Sequence, residues 1–232
     1  MHFHLPKPLH GWRELLGEVG VIVIGVLIAL SAEQVVQEVH WRSELTKFRS
    51  ALDKEAALNL AYYEYRTSQR RCVHSRIAEL NRWEAMQRKG QSSSPLREIG
   101  RPTILMFNTT VWRSHNANVT EHMPIETELT YADLYDTFDV LNKEQLDEQE
   151  AWQGLAAFNG ATHLNAENLM RLSELIYRVK LLDFKLDTFN GPWVRAYAAK
   201  LGLGPNWNGY RKYAGTPDPG FCQPLLSNAS TR

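Results

Sequence analysis

The most hydrophobic part of the chain lies near its N-terminus. The stretch from Val19 to Ala32 carries no charged residue, and extending it back to Leu15 adds only one, Glu18. A helix needs about 20 predominantly apolar residues to cross the core of a bilayer. Residues 15–32 are therefore predicted to form a short transmembrane helix.

Two other interpretations of this segment stay open. Its length also fits the hydrophobic region of a cleaved secretory signal, and Ala29-Leu30-Ser31 is an acceptable cleavage sequence. Glu14 and Glu18 disfavour cleavage, because a signal peptide begins with a positively charged region. The third interpretation is a buried core helix, which is disfavoured because the segment is apolar on every side and has no polar face for water.

Within this segment, Gly25 and Ala29 form a pair of small residues four positions apart. Such a pair lets two membrane helices approach each other closely. Self-association through the span is therefore predicted, with an ordinary lipid-facing helix as the alternative.

Gly and Pro punctuate the rest of the chain. Neither occurs from Val26 to Lys89, so the apolar helix is predicted to continue outward, with a bend because a straight helix would extend on the order of 85 Å. Gly90–Pro102 is predicted to be a loop.

Apolar residues at spacings of three and four predict two further helices. Their inward positions are Tyr131, Leu134, Phe138 and Leu141 in the first, and Leu169, Leu172, Ile176, Val179 and Leu186 in the second.

The C-terminal part of the chain has a different composition. Residues 191–232 contain six glycines and five prolines, which predicts a mostly irregular tail. We expect this tail to pack on the helices through its aromatic residues. These are Trp193, Tyr197, Trp207 and Tyr210.

The predicted fold is all-α. It consists of an N-terminal transmembrane helix continuing into a long helix, an antiparallel helical bundle and an irregular C-terminal tail. The predicted segments are a cytoplasmic N-terminal tail at 1–14, the transmembrane helix at 15–32, an exported bundle at 33–190 and the tail at 191–232.

Charge and cysteine content narrow the possible environments and partners. The 26 basic and 26 acidic residues give a formal net charge of zero, so no global field attracts the chain to nucleic acid. Cys72 and Cys222 are the only cysteines, and an exported chain has one possible internal disulfide. Closing so long a loop stabilises by about 4 to 5 kcal/mol in the chain-entropy model. Two buried thiols are the alternative, expected if the domain is cytoplasmic.

Candidate metal ligands and acidic clusters have simpler explanations. His115, Glu121 and His122 carry suitable groups for zinc, but their spacing matches neither of the usual zinc-protease motifs. Asp133, Asp136 and Asp139 recur every three residues, which is typical of a solvated helix face. We expect both groups to be surface polar residues.

A basic cluster on the long helix allows two interpretations. It would contact phosphate, lipid head groups or an acidic partner, or it would form salt bridges with the neighbouring glutamates Glu55, Glu64 and Glu79. The second is predicted, since such pairs are common on helix surfaces. The cluster comprises Arg66, Arg70, Arg71 and Arg76. No catalytic, cofactor-binding or metal-binding residue is predicted, and the chain is expected not to be an enzyme.

The N-terminal segment Gly17–Gln34, GEVGVIVIGVLIALSAEQ, resembles the membrane helix of an uncharacterised proteobacterial family of single-pass inner-membrane proteins. Cys72 to Leu80, Thr109 to Trp112, Tyr131 to Tyr135 and a cysteine near the C-terminus are also similar to that family. The resemblance implies a bacterial inner-membrane protein with one span. The basic residues on the two sides of the span do not decide its orientation. The simpler topology exports the C-terminal domain to the periplasm.

Three classes of function are compatible with these features. The predicted one is a membrane-anchored helical scaffold or interaction protein, whose partners are the lipid bilayer and another envelope protein or a second copy. The alternatives are an exported ligand-binding sensor acting with a separate signalling partner, and an enzyme with an unrecognised site. An exposed apolar stripe would favour the scaffold. An apolar cavity between helices would favour the sensor, and a deep pocket with convergent ionisable groups would favour the enzyme.

Overall fold

The computed structural model describes residues 11–91, 96, 98–114, 117–213 and 219–225. None of the residues in these ranges forms a β-strand, and the all-α fold is confirmed. The elements are α1 (Trp12–Ser68), α2 (Arg70–Arg88), α3 (Thr110–Arg113), α4 (Ala117–Thr120), α5 (Ile125–Ala156), α6 (Ala166–Phe184), a π-helical turn (Lys185–Phe189), α7 (Gly191–Leu201), α8 (Trp207–Tyr213) and a 3₁₀ turn (Pro219–Cys222).

The long helix is interrupted at Gln69, without Gly or Pro. Helix α1 ends at Ser68, and α2 begins two residues later at Arg70. The side-chain hydroxyls of Thr67 and Ser68 donate hydrogen bonds to the carbonyls of Glu64 and Tyr65, respectively. These bonds compete with the regular backbone hydrogen bonds of the helix and favour an interruption.

The N-terminal half of α1 projects from the rest of the protein. It is long and apolar enough to cross a membrane, and none of its most apolar window is buried against other parts of the chain. A core helix would be largely covered by its neighbours. The structure therefore does not support a buried core helix.

Helices α5 and α6 pack along α1 and α2 in opposite directions. In α5, Tyr131 donates a hydrogen bond to Asp53 near the start of the bundle, and Glu148 pairs with Arg66 farther out. Helix α6 begins at the far end, where the Asn165 side chain accepts a hydrogen bond from the backbone N–H of Asn168. It then returns to the level of Arg66, which gives the antiparallel bundle.

The buried apolar side chains form two clusters along the bundle axis. The inner cluster lies nearer the N-terminal half of α1 and contains residues of α1, α5 and α7, including Leu52, Tyr63, Tyr135, Phe138 and Val194. The outer cluster contains residues of α2, α5 and α6, including Val73, Leu80, Trp152, Leu172 and Val179. The predicted inward residues of α5 and α6 lie in these clusters, except that Leu169 is only half-buried.

Side-chain amides hold the extended segment that precedes α3. The Asn59 amide bonds to both the N–H and the carbonyl of Asn108, and Asn142 does the same for Phe107. The carbonyl and N–H of Thr103 are likewise bonded by Gln69. A buried segment without a β-partner needs such bonds, because unpaired backbone groups are costly in a protein interior.

The predicted irregular tail is more helical than its composition suggests. Pro192 lies in the first turn of α7, where a missing N–H costs little, and Gly202 ends the helix with φ 69°. These residues therefore bound the helix rather than prevent it. Val194 and Ala198 make the buried face of α7.

The predicted aromatic packing of the tail is confirmed for two residues. Tyr210 is buried against Tyr62 and Tyr65, and Tyr197 is half-buried against the inner cluster. Trp193 and Trp207 are exposed.

The last described segment, residues 219–225, lies across α2, and we call it the strap. A disulfide joins Cys72 to Cys222, with 4.9 Å between their Cα atoms. The Arg76 guanidinium donates hydrogen bonds of 2.8 Å to two carbonyls of the strap, those of Phe221 and Gln223. The Phe221 and Leu225 side chains, both buried, complete the outer cluster.

We expect the double substitution Cys72→Ser/Cys222→Ser to lower the free energy of unfolding by up to about 5 kcal/mol, because a loop of this length loses its covalent closure. Urea titration of the purified full-length protein measures the change. As the control, reductant should destabilise the wild type and leave the variant unchanged. Two free thiols in freshly isolated, denatured but unreduced protein would contradict the disulfide.

Candidate functional sites

A buried ionic cluster lies at the centre of the bundle. The Nε and Nη2 atoms of Arg66 both donate hydrogen bonds to the Glu148 carboxylate, the Nε bond at 3.2 Å, and Nη2 lies 3.5 Å from a carboxylate oxygen of Asp183. All three side chains are almost completely buried. The indole N–H of Trp152 donates a further hydrogen bond of 3.2 Å to Glu148. One arginine therefore joins α1, α5 and α6.

The cluster reaches the surface beside the π-helical turn. His74 lies 2.9 Å from Asp183 and is about half exposed. Arg70 pairs with Asp187 at 2.5 Å, and the Tyr63 hydroxyl donates a hydrogen bond to the carbonyl of Leu186. Burial raises the pKa of Tyr63 to about 12, so this hydroxyl stays protonated at neutral pH.

The ionic cluster separates the inner and outer apolar clusters. Along α1 and α2, Arg66 comes between Tyr63 of the inner cluster and Val73 of the outer cluster. Along α6 and the π-helical turn, Asp183 comes between Val179 of the outer cluster and Leu186 of the inner cluster. Each ion occupies an inward position where the apolar spacing calls for a hydrophobic residue. A charged residue at an inward position of the apolar spacing is the sequence signal that indicates this site. The prediction of the helices did not draw on it.

The basic cluster predicted on the long helix does not form one surface patch, because Arg70 and Arg71 are exposed whereas Arg66 and Arg76 are buried. Arg66 pairs with Glu148 and Asp183, and Arg70 pairs with Asp187 of the π-helical turn. The prediction that both pair with glutamates of their own helix is therefore wrong. Arg76 does lie near Glu79, at 4.0 Å, but its hydrogen bonds go to the strap.

The other polar candidates form no grouped site within the described residues. His115 lies outside the described residues, while Glu121 and His122 are exposed, the latter against the ring of Trp41. No three His, Cys, Asp or Glu side chains in the described ranges are grouped so as to hold a metal ion. Asp139 pairs with Arg113 at 2.8 Å, and Asp133 and Asp136 are exposed.

A cleft of about 650 Å³ opens between the start of α5 and the end of α7. Arg49, Glu126, Asp133 and Lys200 are among its lining residues. Charged and hydroxyl side chains dominate this lining, and the cleft is open to solvent. It is unlike the enclosed apolar cavity expected of a sensor module.

Helix α6 has a second apolar face that the sequence analysis missed. Met170, Tyr177, Leu181 and Phe184 are 66%, 66%, 39% and 51% exposed. They are spaced by seven, four and three residues, so they share one side of the helix. Leu172, Ile176 and Val179 on the opposite side are buried in the outer cluster. We call the exposed face the α6 stripe.

The predicted helix-packing residues Gly25 and Ala29 are both exposed on α1. A Cβ at Gly25 would meet no atom within 4 Å. The pairing of two spans through these residues remains a prediction.

No protein-family model matches this chain. Comparisons with curated proteins and with solved structures also give no match.

We expect Arg66→Met to lower the free energy of unfolding by about 3 to 5 kcal/mol, because it removes the cation that lies between the buried carboxylates of Glu148 and Asp183. Arg113→Met is the matched control. Arg113 is largely exposed in its pair with Asp139, and its loss should cost less than about 1 kcal/mol. Urea unfolding of both full-length variants makes the comparison. Equal effects would show that the buried cluster contributes no more than a surface pair.

Proposed function

We propose that this protein is a single-pass inner-membrane scaffold whose helical domain lies in the periplasm and binds a helix of another envelope protein. The observation that carries the proposal is the α6 stripe. A run of large apolar side chains left exposed along one helix is typical of a surface that another helix covers.

The spacing of the α6 stripe suits a helical partner. In a coiled-coil arrangement, Met170, Tyr177 and Phe184 occupy equivalent heptad positions, and Leu181 occupies the second seam position. The same register puts Glu174 in the seam between Met170 and Tyr177. A partner helix therefore needs an apolar stripe interrupted by one basic or polar residue opposite Glu174.

Charge beside the stripe restricts the partner further. Arg178 is already paired with Glu150 at 3.0 Å, whereas no ion pair in the described part of the chain neutralises Arg171 or Lys180. Acidic residues on the flanks of a partner helix would complement these two cations. The occupant we propose is thus an amphipathic helix with acidic flanks.

A second copy of this chain fits the α6 stripe poorly. Helix α6 runs back toward the apolar half of α1, so two copies in one membrane present α6 in the same direction. Glu174 would then face Glu174 across the seam, with no cation opposite it. An antiparallel pair would avoid this contact, but its two membrane anchors would point in opposite directions and could not lie in the same membrane.

The location of the domain is inferred from several features together. One apolar helix near the N-terminus supports the membrane anchor, and a disulfide is typical of an oxidising compartment such as the periplasm. The resemblance of Gly17–Gln34 to single-pass inner-membrane proteins agrees with this topology.

We expect the full-length chain to remain in the membrane pellet after carbonate extraction, because the apolar half of α1 is buried in lipid. Immunoblotting and intact-mass measurement identify the product. The control is the same extraction of a variant that lacks residues 1–32, which should appear in the supernatant. A soluble natural product that begins near Ala32 or Glu33 would show signal cleavage and contradict the anchor.

A photo-reactive phenylalanine analogue at Tyr177 is expected to crosslink to a second protein, because the α6 stripe is covered in the assembled state. The analogue at Leu146, an exposed apolar position on α5, is the matched control. Adding Leu181→Lys should reduce the Tyr177 crosslink at least about tenfold, the effect of losing one important interface residue.

Mass spectrometry of the crosslinked peptide tests the proposed partner. An amphipathic helix with acidic flanks supports the proposal. A crosslink only to a second copy, or equal crosslinking from position 146, would contradict it.

A further inference from the structure

The apolar character of α1 does not end with the predicted span. Val36 and Val39 follow Glu33 and are 69% and 63% exposed, as uncovered as Ile22 inside the span at 65%. Exposed valines outside a bilayer gain nothing from lipid. Their position on the helix therefore needs a separate explanation.

These valines belong to one continuous face of α1. Positions spaced alternately by three and four residues form a seam without a charged side chain, which extends from Ile22 to Ser50. The seam comprises Ile22, Gly25, Ala29, Ala32, Val36, Val39, Ser43, Thr46 and Ser50, all of them exposed. Between residues 22 and 50, every other seam that the heptad spacing allows contains at least one Asp, Glu, Lys or Arg. We call this face the α1 seam.

The α1 seam lies on the side of the helix away from the bundle. Leu45, Phe48 and Leu52 point to the inner cluster, and the seam positions are offset from them by two residues, about 200° around the helix. The uncharged pattern ends at Asp53, which binds Tyr131. Four residues later, the carbonyl of Ala57 accepts a hydrogen bond from the segment before α8.

We propose that two copies of this protein pair in parallel along the α1 seam, from inside the membrane to the base of the bundle. The proposal rests on the membrane anchor of the proposed function, because anchoring fixes both copies at the same depth and in the same direction. Each residue of a symmetric parallel pair then faces its own counterpart. A charged residue in the seam would face a like charge, so a charge-free seam is the one suited to this pairing.

Side-chain size and the neighbouring charges also suit a parallel pair. Gly25, Ala29 and Ala32 allow close approach within the membrane, and Val36 and Val39 supply apolar contact where water is present. Two of the cations that flank the seam above the valines are neutralised within each copy. Arg42 pairs with Glu38 at 2.7 Å, and Lys47 pairs with Glu44 at 2.8 Å.

Single introduced cysteines test the pairing in native membranes, since Cys72 and Cys222 already form a disulfide with each other. We expect Val39→Cys and Ser43→Cys to give a disulfide-linked dimer under mild oxidation. Gln34→Cys is the control, because Gln34 is exposed five residues before Val39 and lies on the far side of the helix from the seam. Its dimer yield should be at least about fivefold lower than that of Ser43→Cys, as expected for positions on opposite faces.

Substitutions in the seam provide a second measurement. In the Ser43→Cys background, Gly25→Leu with Ala29→Leu should reduce the dimer yield several-fold. The reason is the loss of close approach, because the single copy has open space at Gly25. Val36→Glu should have a similar effect by placing two carboxylates face to face, and Gln34→Glu should not. Equal crosslinking at residues 34, 39 and 43, or a yield unaffected by the seam substitutions, would overturn the proposal.

The same samples distinguish this inference from the proposed function. Full-length protein that stays in the carbonate pellet and crosslinks a heterologous helix from position 177, without a seam-dependent dimer, contradicts only the α1 pair. A soluble product removes the anchor on which both proposals rest.

Discussion

The packing of the bundle depends on the burial of one guanidinium. Arg66 is nearly inaccessible to water, and a buried charge is tolerated only when oppositely charged partners surround it. Those partners, Glu148 and Asp183, come from two other helices. Sliding either helix by one turn would take one of these two carboxylates away from the cation and place it among apolar side chains. The ionic cluster therefore specifies the register of three helices whose apolar faces alone would permit others.

The requirement that buried polar groups have partners also explains how the non-helical segments are held. Without strands to pair with, the extended segment before α3 bonds to Asn59, Gln69 and Asn142, each of which serves both a donor and an acceptor of the backbone. In the C-terminal strap, Arg76 donates hydrogen bonds to two carbonyls, and Glu79 accepts a hydrogen bond from the N–H of Leu225. The polar residues inside the bundle are thus matched to specific backbone groups, and their positions are as constrained as those of the apolar core.

Hydrophobic spacing predicted α5 and α6 and their inward residues, because burial of one face determines both features. The absence of Gly and Pro predicted the long first helix. Neither pattern predicted the ionic cluster, since pairing Arg66 with Asp183 requires knowledge of how distant helices align. The tail was misjudged for a local reason: Pro192 and Gly202 stand at helix ends, where these residues are favourable. The α6 stripe was not predicted because the inward residues of the same helix were sufficient to define it as a helix.

The strap has a consequence for the order in which the protein folds. The contacts of α2 with residues 221–225 join positions about 145 to 150 apart in the chain, and contacts of such long range form late. Until then Val73 and Leu80 lack the Phe221 and Leu225 side chains that help to cover them. A growing chain would thus present this apolar surface until residues 221–225 have been made, when aggregation competes with folding. Its biogenesis should accordingly depend on chaperones that shield nascent chains.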